Sequence, residues 1–343
     1  MTSGGTNGVA ESTIAYEDQA QEQPGKPRRR RGVTVFLAFL LLPVLALGVL
    51  RLGGIDGNNL TVAALSLTPY AAGFGLLVTL VCLLLRRRSL TLIGLVASLS
   101  LGVLLLPRIL PDGDPMPQGQ HLRVLTANLM LGKADPQTLV NLVRDTRTEV
   151  LFLQELTPAA LDALDAAGVD RLLPYRVVRP MGGASGSGIL AKVPLRQIVL
   201  VENTVLENPA AVLDLSGPVD IEVVAVHIVP PVNSDTDRKT WQRELASLPN
   251  PDSDGRPRIL AGDFNATLDH NALTSFMARG YDDGAEKAGE GMRPTWSSLS
   301  DFGPPVTIDH ILVDRRIAVP NAAVYDLPGS DHNALFAEVA LPD

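Results

Sequence analysis

Polar side chains that can bind metal ions and transfer protons follow apolar segments in the C-terminal two thirds of the chain. They are Asn128, Glu155, His227, Asp263, Asn265, Asp309, Asp331 and His332. Carboxylate and amide oxygens are the ligands that Mg²⁺ prefers, and histidine and carboxylate groups act as acids and bases near neutral pH. Together, such residues can stabilise an anionic ester and activate the water molecule that attacks it.

Each of these residues has a simpler explanation when it is taken alone. Asn128 suits a turn, Glu155 suits the cap of a following helix, and His227 suits a buried position with satisfied hydrogen bonds. Gly262–Asn265 is a common turn sequence, and a loop is enough to explain Ser330–Asn333. Their occurrence at six successive strand ends favours one shared site, because loops at the ends of strands gather into clefts.

The elements that must position these residues are strands with a few helices between them. Helices are predicted to begin at Asp135-Pro136 and Thr157-Pro158, where Asp or Thr can cap and Pro suits the first turn. Two more are predicted near Thr236–Leu248 and Asn271–Met277, and loops over 203–220 and 282–304. Predicted strands are Leu122–Asn128, Val150–Gln154, Tyr175–Val178, Gly188–Ala191, Ile221–Val229, Arg258–Ala261, Thr307–Val313 and Leu335–Leu341. This pattern predicts an α/β sandwich with largely antiparallel sheets.

Six short stretches resemble, in this order, the motifs of the endonuclease/exonuclease/phosphatase superfamily. They are Thr126-Ala127-Asn128, Leu153-Gln154-Glu155, Val226-His227, Leu260–Asn265, Ile308–Ile311 and Ser330-Asp331-His332. Relatives in this superfamily include deoxyribonuclease I, abasic-site endonucleases, inositol polyphosphate phosphatases and bacterial sphingomyelinases. The resemblance covers about residues 121–342 and implies a four-layer α/β/β/α sandwich, like that of deoxyribonuclease I, that hydrolyses phosphodiester or phosphomonoester bonds.

The resemblance also implies a metal cofactor. Glu155 is the implied principal ligand, and Asn128 and Asp331 would complete or support the site. The expected ion is Mg²⁺, with Mn²⁺ as an alternative, because the ligands are hard oxygen atoms.

The remaining residues have catalytic roles by the same resemblance. Asp263 and Asn265 would orient the attacking water and hold the phosphate oxygens, and Asp309 would fix the tautomer of His332 and favour its cationic form. His227 would contact the phosphate from the other side. The sequence leaves open whether Asp263 or His332 accepts the proton of the water.

One departure from the pattern concerns the partner of His227. Some nuclease members place a carboxylate beside this histidine, from a segment that precedes it. No Asp or Glu occurs between Arg171 and Lys192 in this chain. Ser185 and Ser187 are alternatives for that role, although their Gly-rich surroundings also favour a flexible turn.

The charge and cysteine content of the chain limit the classes of function that it can have. Residues 120–343 contain 19 Lys and Arg against 30 Asp and Glu, a net charge of −11, which disfavours nonspecific binding of polyanions. The substrate therefore stays open between nucleic acid and a phospholipid headgroup. Cys82 is the one cysteine, which excludes an intramolecular disulfide and a cysteine-rich zinc site. No protein partner is implied, and a catalytically inactive binding or scaffold module of the same fold is the alternative function.

Three apolar runs before residue 110 predict a multi-pass membrane anchor. Residues 1–32 form a polar tail that ends in a basic cluster and is predicted to be disordered, and 111–120 form a Pro- and Gly-rich linker. The runs at about 33–50, 62–85 and 89–107 each approach the 20 or so residues that cross a bilayer as a helix. A signal peptide is the alternative for the first run, but the preceding tail is long and no small-residue cleavage site follows.

The placement of arginine predicts the orientation of these spans. Arg28–Arg31 precede the first span and Arg86–Arg88 separate the second and third, whereas Arg51 alone lies in the first loop. Because cytoplasmic loops are enriched in Lys and Arg, the tail and the Arg86–Arg88 turn are predicted to be cytoplasmic. Three crossings would then place residues 121–343 outside the cytoplasm, held at the cell membrane.

Overall fold

Four helices occupy the N-terminal third of the computed structural model, which describes residues 1–2, 4–5, 28–112, 119–215, 220–297 and 304–342. They are α1 (Arg28–Leu52), α2 (Asn59–Leu65), α3 (Thr68–Leu84) and α4 (Arg88–Leu105), and a 3₁₀ turn over Leu106–Arg108 follows α4. Most of the tail that is predicted to be disordered (residues 3 and 6–27) and most of the predicted linker (113–118) lie outside the described residues.

Two of the three predicted spans are continuous helices. Segments Arg31–Leu52 and Arg88–Arg108 are long and apolar enough to cross a bilayer. The helix predicted at about 62–85 is not continuous, because the segment consists of α2 and α3, which meet at an angle of 66°. Pro69 lies in the first turn of α3, where its missing N–H and fixed φ suit the start of a new helix. The described residues therefore contain two such helices, or three spans if the bent pair counts as one.

Small residues let α1, α3 and α4 approach one another closely. Gly75 faces Ser98 and Val44, and Gly94 faces Thr79, so that a Cβ added at either glycine would collide with its neighbours. Close contacts through small residues are typical of helices that pack in membranes, where hydrophobic burial does not drive association.

Two six-stranded sheets form the centre of the C-terminal domain. The first contains β1 (His121–Asn128), β2 (Val150–Gln154), β3 (Tyr175–Arg179), β4 (Ser187–Ala191), β11 (Ala318–Tyr325) and β12 (Ala334–Ala340), in the order β11-β12-β1-β2-β4-β3. The second contains β5 (Leu195–Ile198), β6 (Ala210–Leu213), β7 (Ile221–His227), β8 (Arg258–Asp263), β9 (Tyr281–Asp283) and β10 (Asp309–Asp314), in the order β5-β6-β7-β8-β10-β9. The pairs β1–β2 and β7–β8 are parallel, and the other pairs are antiparallel.

Helices cover the outer faces of both sheets. Helices α5 (Pro136–Asp145), α6 (Pro158–Ala167) and α7 (Val169–Leu172) pack on the first sheet, and α8 (Asp235–Ser247) and α9 (Asn271–Met277) on the second. The short α10 (Gly284–Lys287) lies beside β10 and β11. A third apolar core fills the space between the sheets, with side chains such as Phe152, Val223 and Ile311. The predicted four-layer α/β/β/α sandwich is therefore confirmed.

Capping residues set the helix starts as their types predict. The side chain of Asp135 accepts a hydrogen bond from the N–H of Thr138 (2.7 Å), and Thr157 caps α6 in the same way. The predicted loops at 203–220 and 282–304 are wrong in part, because β6 lies in the first, and the end of β9 and all of α10 lie in the second. These elements are three or four residues long, too short for a period to be visible in sequence.

The helical bundle is joined to the domain by buried ion pairs. Asp269 accepts two hydrogen bonds from Arg108 (2.7 and 2.9 Å) and one from Arg51 Nε (3.1 Å). The hydroxyl of Tyr70 donates to the carbonyl oxygen of Pro305 (2.6 Å). Arg51 lies in the last turn of α1, Tyr70 in the first turn of α3 and Arg108 in the 3₁₀ turn that follows α4. The end of the bundle that holds these three residues therefore rests on the domain, and the Arg86–Arg88 turn lies at the other end.

Candidate active site

Strand pairing brings the sequence-predicted residues to one edge of the two sheets. In the parallel pair β1–β2, Asn128 lies beside Gln154, the residue before Glu155. In the parallel pair β7–β8, His227 lies beside Asp263, and β10 begins at Asp309 opposite the same residue. The segment before β12 supplies Asp331 and His332 at the same edge, because β12 runs antiparallel to β1. All eight predicted residues therefore lie near one another.

Two histidines flank one carboxylate at the centre of this edge. His332 Nδ1 and Asp309 Oδ2 are 2.9 Å apart and share a hydrogen bond. The other ring nitrogen of His332 lies 3.8 Å from Asp263 Oδ2, and His227 Nε2 lies 3.8 Å from the same oxygen. The carboxylate of Asp263 is thus placed between two imidazole rings, and all three groups are of the types that act in general acid–base catalysis.

Burial and charge set the protonation of these groups. Burial lowers the pKa of His227 to about 4, and the positive charge of His332 acts in the same direction. Burial raises the pKa of Asp263 above its usual range, reinforced by the carboxylate of Asp309. Burial alone would lower the pKa of His332, but Asp309 and other carboxylates outweigh it and raise the pKa to about 10. At neutral pH the site contains a neutral His227 and a cationic His332.

Asn128 connects the central carboxylate with Glu155. Its Nδ2 donates to Glu155 Oε1 (3.2 Å) and to Asp263 Oδ2 (3.1 Å), and its Oδ1 accepts from the N–H of Met130 (3.0 Å). Asn128 is fully buried, whereas Glu155 is only partly buried and lines the cavity described below. In this arrangement Asn128 acts as a positioning group for both carboxylates.

The two carboxylates that the sequence predicts to bind a cation, Glu155 and Asp331, are both held by hydrogen bonds. Glu155 Oε2 accepts from the N–H of Leu131 (2.7 Å), and Asp331 Oδ2 accepts from Trp296 Nε1 (3.1 Å). Both side chains are partly buried and line one cavity. Two hard carboxylates beside a buried amide fit Mg²⁺ or Mn²⁺, which keep several waters and use one or two carboxylates.

Another group of three side chains also has ligand-like spacing. Among the described residues, Asp263, Asp309 and His332 offer atoms that all lie within 4.8 Å of one another. Asp309 and His332 are joined by their mutual hydrogen bond, and His332 Nε2 faces Asp263. This geometry favours proton transfer and charge stabilisation by the three residues.

Asn265 supports the central carboxylate through its backbone. Its N–H donates to Asp263 Oδ1 (2.8 Å), and its Nδ2 donates to the carbonyl oxygen of Ile228 (2.9 Å). Asn265 and Glu155 have φ values of +48° and +55°, in the left-handed region. Residues other than glycine rarely adopt this conformation, and such strain concentrates at functional sites.

The segment before β7 supplies no carboxylate to His227. The backbone of Ala184 lies near the ring and favours its protonated form, but Nδ1 makes no hydrogen bond within the described part of the chain. Neither alternative from the sequence, Ser185 or Ser187, is hydrogen-bonded to the ring, and the hydroxyl of Ser187 is itself buried without a partner there.

Two residues that support the site, Ser330 and Thr295, are not among the site residues predicted from the sequence. Ser330 Oγ donates to the carbonyl oxygen of Asn128 (2.8 Å) and accepts from the N–H of His332 (3.0 Å), so it ties two predicted segments together. The hydroxyl of Thr295 accepts from the N–H of Asp309 (3.0 Å). Ser330 is part of the Ser-Asp-His motif, which is a signal for it, whereas Thr295 lies in a segment that was predicted to be a loop.

A cavity of about 530 Å³ lies over the catalytic residues. Six of the predicted residues line it, namely Glu155, His227, Asp263, Asn265, Asp331 and His332. Its wall also includes Val62, which lies in α2, and Ser66, which is the first residue after α2. The site is therefore built from the domain together with the N-terminal third of the chain.

Comparison with known proteins agrees with this fold. Residues 125–332 match the Endonuclease/Exonuclease/phosphatase family, and this match covers more than half of the chain. No curated protein matches the chain significantly. The crystal structure of an endonuclease/exonuclease/phosphatase from Beutenbergia cavernae DSM 12333 superposes with a TM-score of 0.52 and 18% identity, over 65% of this chain and 72% of that chain.

Two further solved structures are similar at a lower level. D. rerio TDP2 complexed with single strand DNA product has a TM-score of 0.49 and 19% identity, over 64% of this chain and 99% of that chain. Sphingomyelinase C from Streptomyces griseocarneus has a TM-score of 0.45 and 17% identity, over 64% of this chain and 99% of that chain. The match of residues 125–332, together with the fold, shows that the chain belongs to the endonuclease/exonuclease/phosphatase family, whose members are metal-dependent hydrolases of phosphoester bonds.

Proposed function

We propose that this protein is a membrane-anchored phosphoesterase that uses Mg²⁺ or Mn²⁺ and direct attack by water. One observation carries the proposal: the carboxylates of Glu155 and Asp331 open into the same cavity as Asp263 and the His332 ring, which is paired with Asp309. A cation site and a proton-transfer group within one cavity are the two requirements of phosphoester hydrolysis without a covalent intermediate.

Each residue has a role that follows from its contacts. Asp263 holds the attacking water and accepts its proton, because Oδ1 is fixed by Asn265 while Oδ2 faces both histidines. His332 stabilises negative charge on the phosphate, since its hydrogen bond to Asp309 favours the imidazolium. His227 contacts the phosphate from the opposite side.

Oxygen atoms of this chain would bind the proposed cation. Glu155 and Asp331 would hold it, and Asn128 keeps Glu155 in place through its amide nitrogen. When bound, a divalent cation withdraws charge from the phosphoryl group. The hydrogen bonds from Leu131 and Trp296 then keep the two carboxylates turned toward the cavity.

The location of the domain is the second part of the proposal. We infer that α1, α3 and α4 span the cell membrane and that the domain lies outside the cytoplasm. Support comes from the apolar length of α1 and α4 and from the contacts of Arg51, Tyr70 and Arg108 with the domain. These contacts place the domain at the end of the bundle opposite the basic Arg86–Arg88 turn, as the positive-inside rule requires for this orientation.

Full-length protein in nanodiscs tests the activity directly. Bis(p-nitrophenyl) phosphate and p-nitrophenyl phosphate distinguish diester from monoester hydrolysis, with Mg²⁺, Mn²⁺ or EDTA in parallel samples. We expect metal-dependent release of nitrophenolate that Glu155→Ala and Asp263→Asn each reduce by at least a hundredfold, while the exposed Asp254→Asn retains activity. If neither ester is hydrolysed with either metal, the proposed function is wrong and an inactive binding module is favoured.

A further inference from the structure

The wall of the catalytic cavity is apolar. Around the catalytic groups lie side chains that include Met130, Leu131, Val229, Pro230, Pro231 and Val232. In the described part of the chain, no lysine or arginine lines this cavity. Binding of a nucleic acid depends on cationic contacts to several successive phosphates, so a cavity with this lining suits a ligand with one phosphoester and an apolar body.

Two apolar side chains at this cavity are left in contact with solvent. Leu131 is 44% exposed and Val232 is 51% exposed. Leu131 also has a left-handed backbone with φ +56°, a conformation that is unfavourable for a residue with a Cβ. The hydrogen bond from its N–H to Glu155 maintains this conformation and ties the position of the exposed side chain to the proposed cation site.

The helix α2 completes this wall from the side of the bundle. Val62 packs in the core beside Trp241, and its carbonyl oxygen lies 2.9 Å from Nε2 of His270. The side-chain amide of Asn59 donates to the carbonyl oxygen of Val232 (3.4 Å). On the outer side of α2, Leu60 is 78% exposed. Helix α2 therefore connects the cavity, which Val62 lines, with the helices that we propose to be in the bilayer, and it exposes the apolar side chain of Leu60.

We propose that this wall binds the hydrocarbon chain of a membrane lipid phosphoester, with α2 guiding the chain from the bilayer to the catalytic residues. The inference rests on the proposed function and names its substrate class. Hydrolysis adds water across one P–O bond, so that the phosphorus gains the water oxygen and the leaving alcohol takes the proton. Three observations favour a hydrocarbon chain as the bound group: the apolar lining of the cavity, the exposed apolar side chains at its rim, and the link from the cavity to the helical bundle through α2.

Chromogenic diesters with one variable chain test the substrate class. Methyl, octyl and hexadecyl p-nitrophenyl phosphate differ only in the alkyl chain and release the same product. With full-length protein in nanodiscs, we expect kcat/KM to rise at least tenfold from the methyl to the hexadecyl ester. Phosphatidic acid and glycerol 3-phosphate provide the same comparison for a monoesterase.

Matched variants test whether the preference for a long alkyl chain depends on the apolar wall of the cavity. Val232→Asp should reduce the hexadecyl-to-methyl ratio of kcat/KM at least fivefold, and Leu131→Asn, which tolerates the left-handed backbone, should reduce it similarly. The control is Val199→Asp, since Val199 is 64% exposed and does not line the cavity. A ratio near one in the wild type, or a ratio that neither wall variant changes, overturns the inference. So does hydrolysis of single-stranded DNA at a rate above that of every alkyl ester.

A binding measurement separates this inference from catalysis. Trp296 lines the cavity, and the other tryptophan, Trp241, is fully buried in the core. Nanodiscs that contain phosphatidic acid with brominated chains should quench Trp296 fluorescence if a chain enters the cavity. Trp296→Phe should remove the quenching and Val232→Asp should weaken it. Quenching without hydrolysis would support the binding site and contradict the proposed activity. Hydrolysis without quenching or chain preference would support the proposed activity and contradict the binding site.

Discussion

Asp309 and His332 act as one unit at the scale of single residues, because the carboxylate both orients the ring and favours its cation. Asp309→Asn keeps the size of the side chain but removes its charge, and we expect kcat to fall by about 10²–10⁴-fold. His332→Gln should cost a similar factor, and the double variant little more than either single variant, because one interaction is lost in each case. Steady-state kinetics of the three variants checks this, and losses that multiply would contradict it.

His310 is a structural neighbour of this pair and makes stability depend on pH. It is buried, with Nδ1 2.8 Å from Asp283 Oδ2 and Nε2 2.7 Å from the carbonyl oxygen of Ala266. Burial alone would lower its pKa, but Asp283 outweighs burial and raises it above 6.5. Because the raised pKa belongs to the folded state, the stabilisation is complete below the unfolded pKa of about 6.5 and is lost as pH rises through the folded pKa.

The prediction for His310 follows from this sign. Replacement by Gln removes the titrating group, so the difference in Tm between wild type and His310→Gln should be larger at pH 6 than at pH 9. Thermal unfolding followed by circular dichroism over that range gives both curves. Parallel curves would show that His310 does not carry the pH dependence.

Secondary structure elements show which patterns are readable in sequence. The predicted bounds of β2 and α9 match the structure, because each is a short, mostly apolar run. The break between α2 and α3 was not predicted, since Thr61–Leu85 reads as one apolar run and its bend depends on how Val62 packs in the domain core. The catalytic residues were identifiable because they follow strands within short motifs. The contribution of α2 to the cavity was not identifiable from the sequence, because it depends on how the helical bundle docks on the domain.

Docking at the element scale depends on Asp269. Its carboxylate is buried and pairs with Arg108, which is also buried, and with the more exposed Arg51. Asp269→Ala would leave the Arg108 guanidinium buried without its partner, and we expect a loss of about 3–5 kcal/mol in the free energy of unfolding. Chemical denaturation of the full-length protein measures this change. Arg51→Gln is the matched comparison and should cost less than 1 kcal/mol or so, so equal losses in the two variants would contradict the assignment.

The bundle and the domain form one functional unit at the scale of the whole molecule. Asp56 Oδ2 accepts from the N–H of Ala272 (2.8 Å), Gln242 donates to the carbonyl oxygen of Asp56 (3.2 Å), and Val62 completes an apolar core of the domain. Removing residues 1–112 would therefore expose core side chains and leave Asp269 without both arginines. Full-length protein is accordingly the right material for activity measurements.

The proposed orientation of the chain in the membrane can be tested at the two ends of the bundle. Residues 86–88 lie at the end of the bundle away from the domain, so the two ends should be in different compartments. We expect a reporter that is active only outside the cytoplasm to give signal when fused after residue 343 and none when fused after residue 87. A fluorescent protein that folds only in the cytoplasm should give the reverse pattern. Replacing Arg86, Arg87 and Arg88 by Gln should weaken the preference, because these charges set the orientation. Signal from the same reporter at both positions would place the two ends on one side and contradict the anchored, extracytoplasmic arrangement.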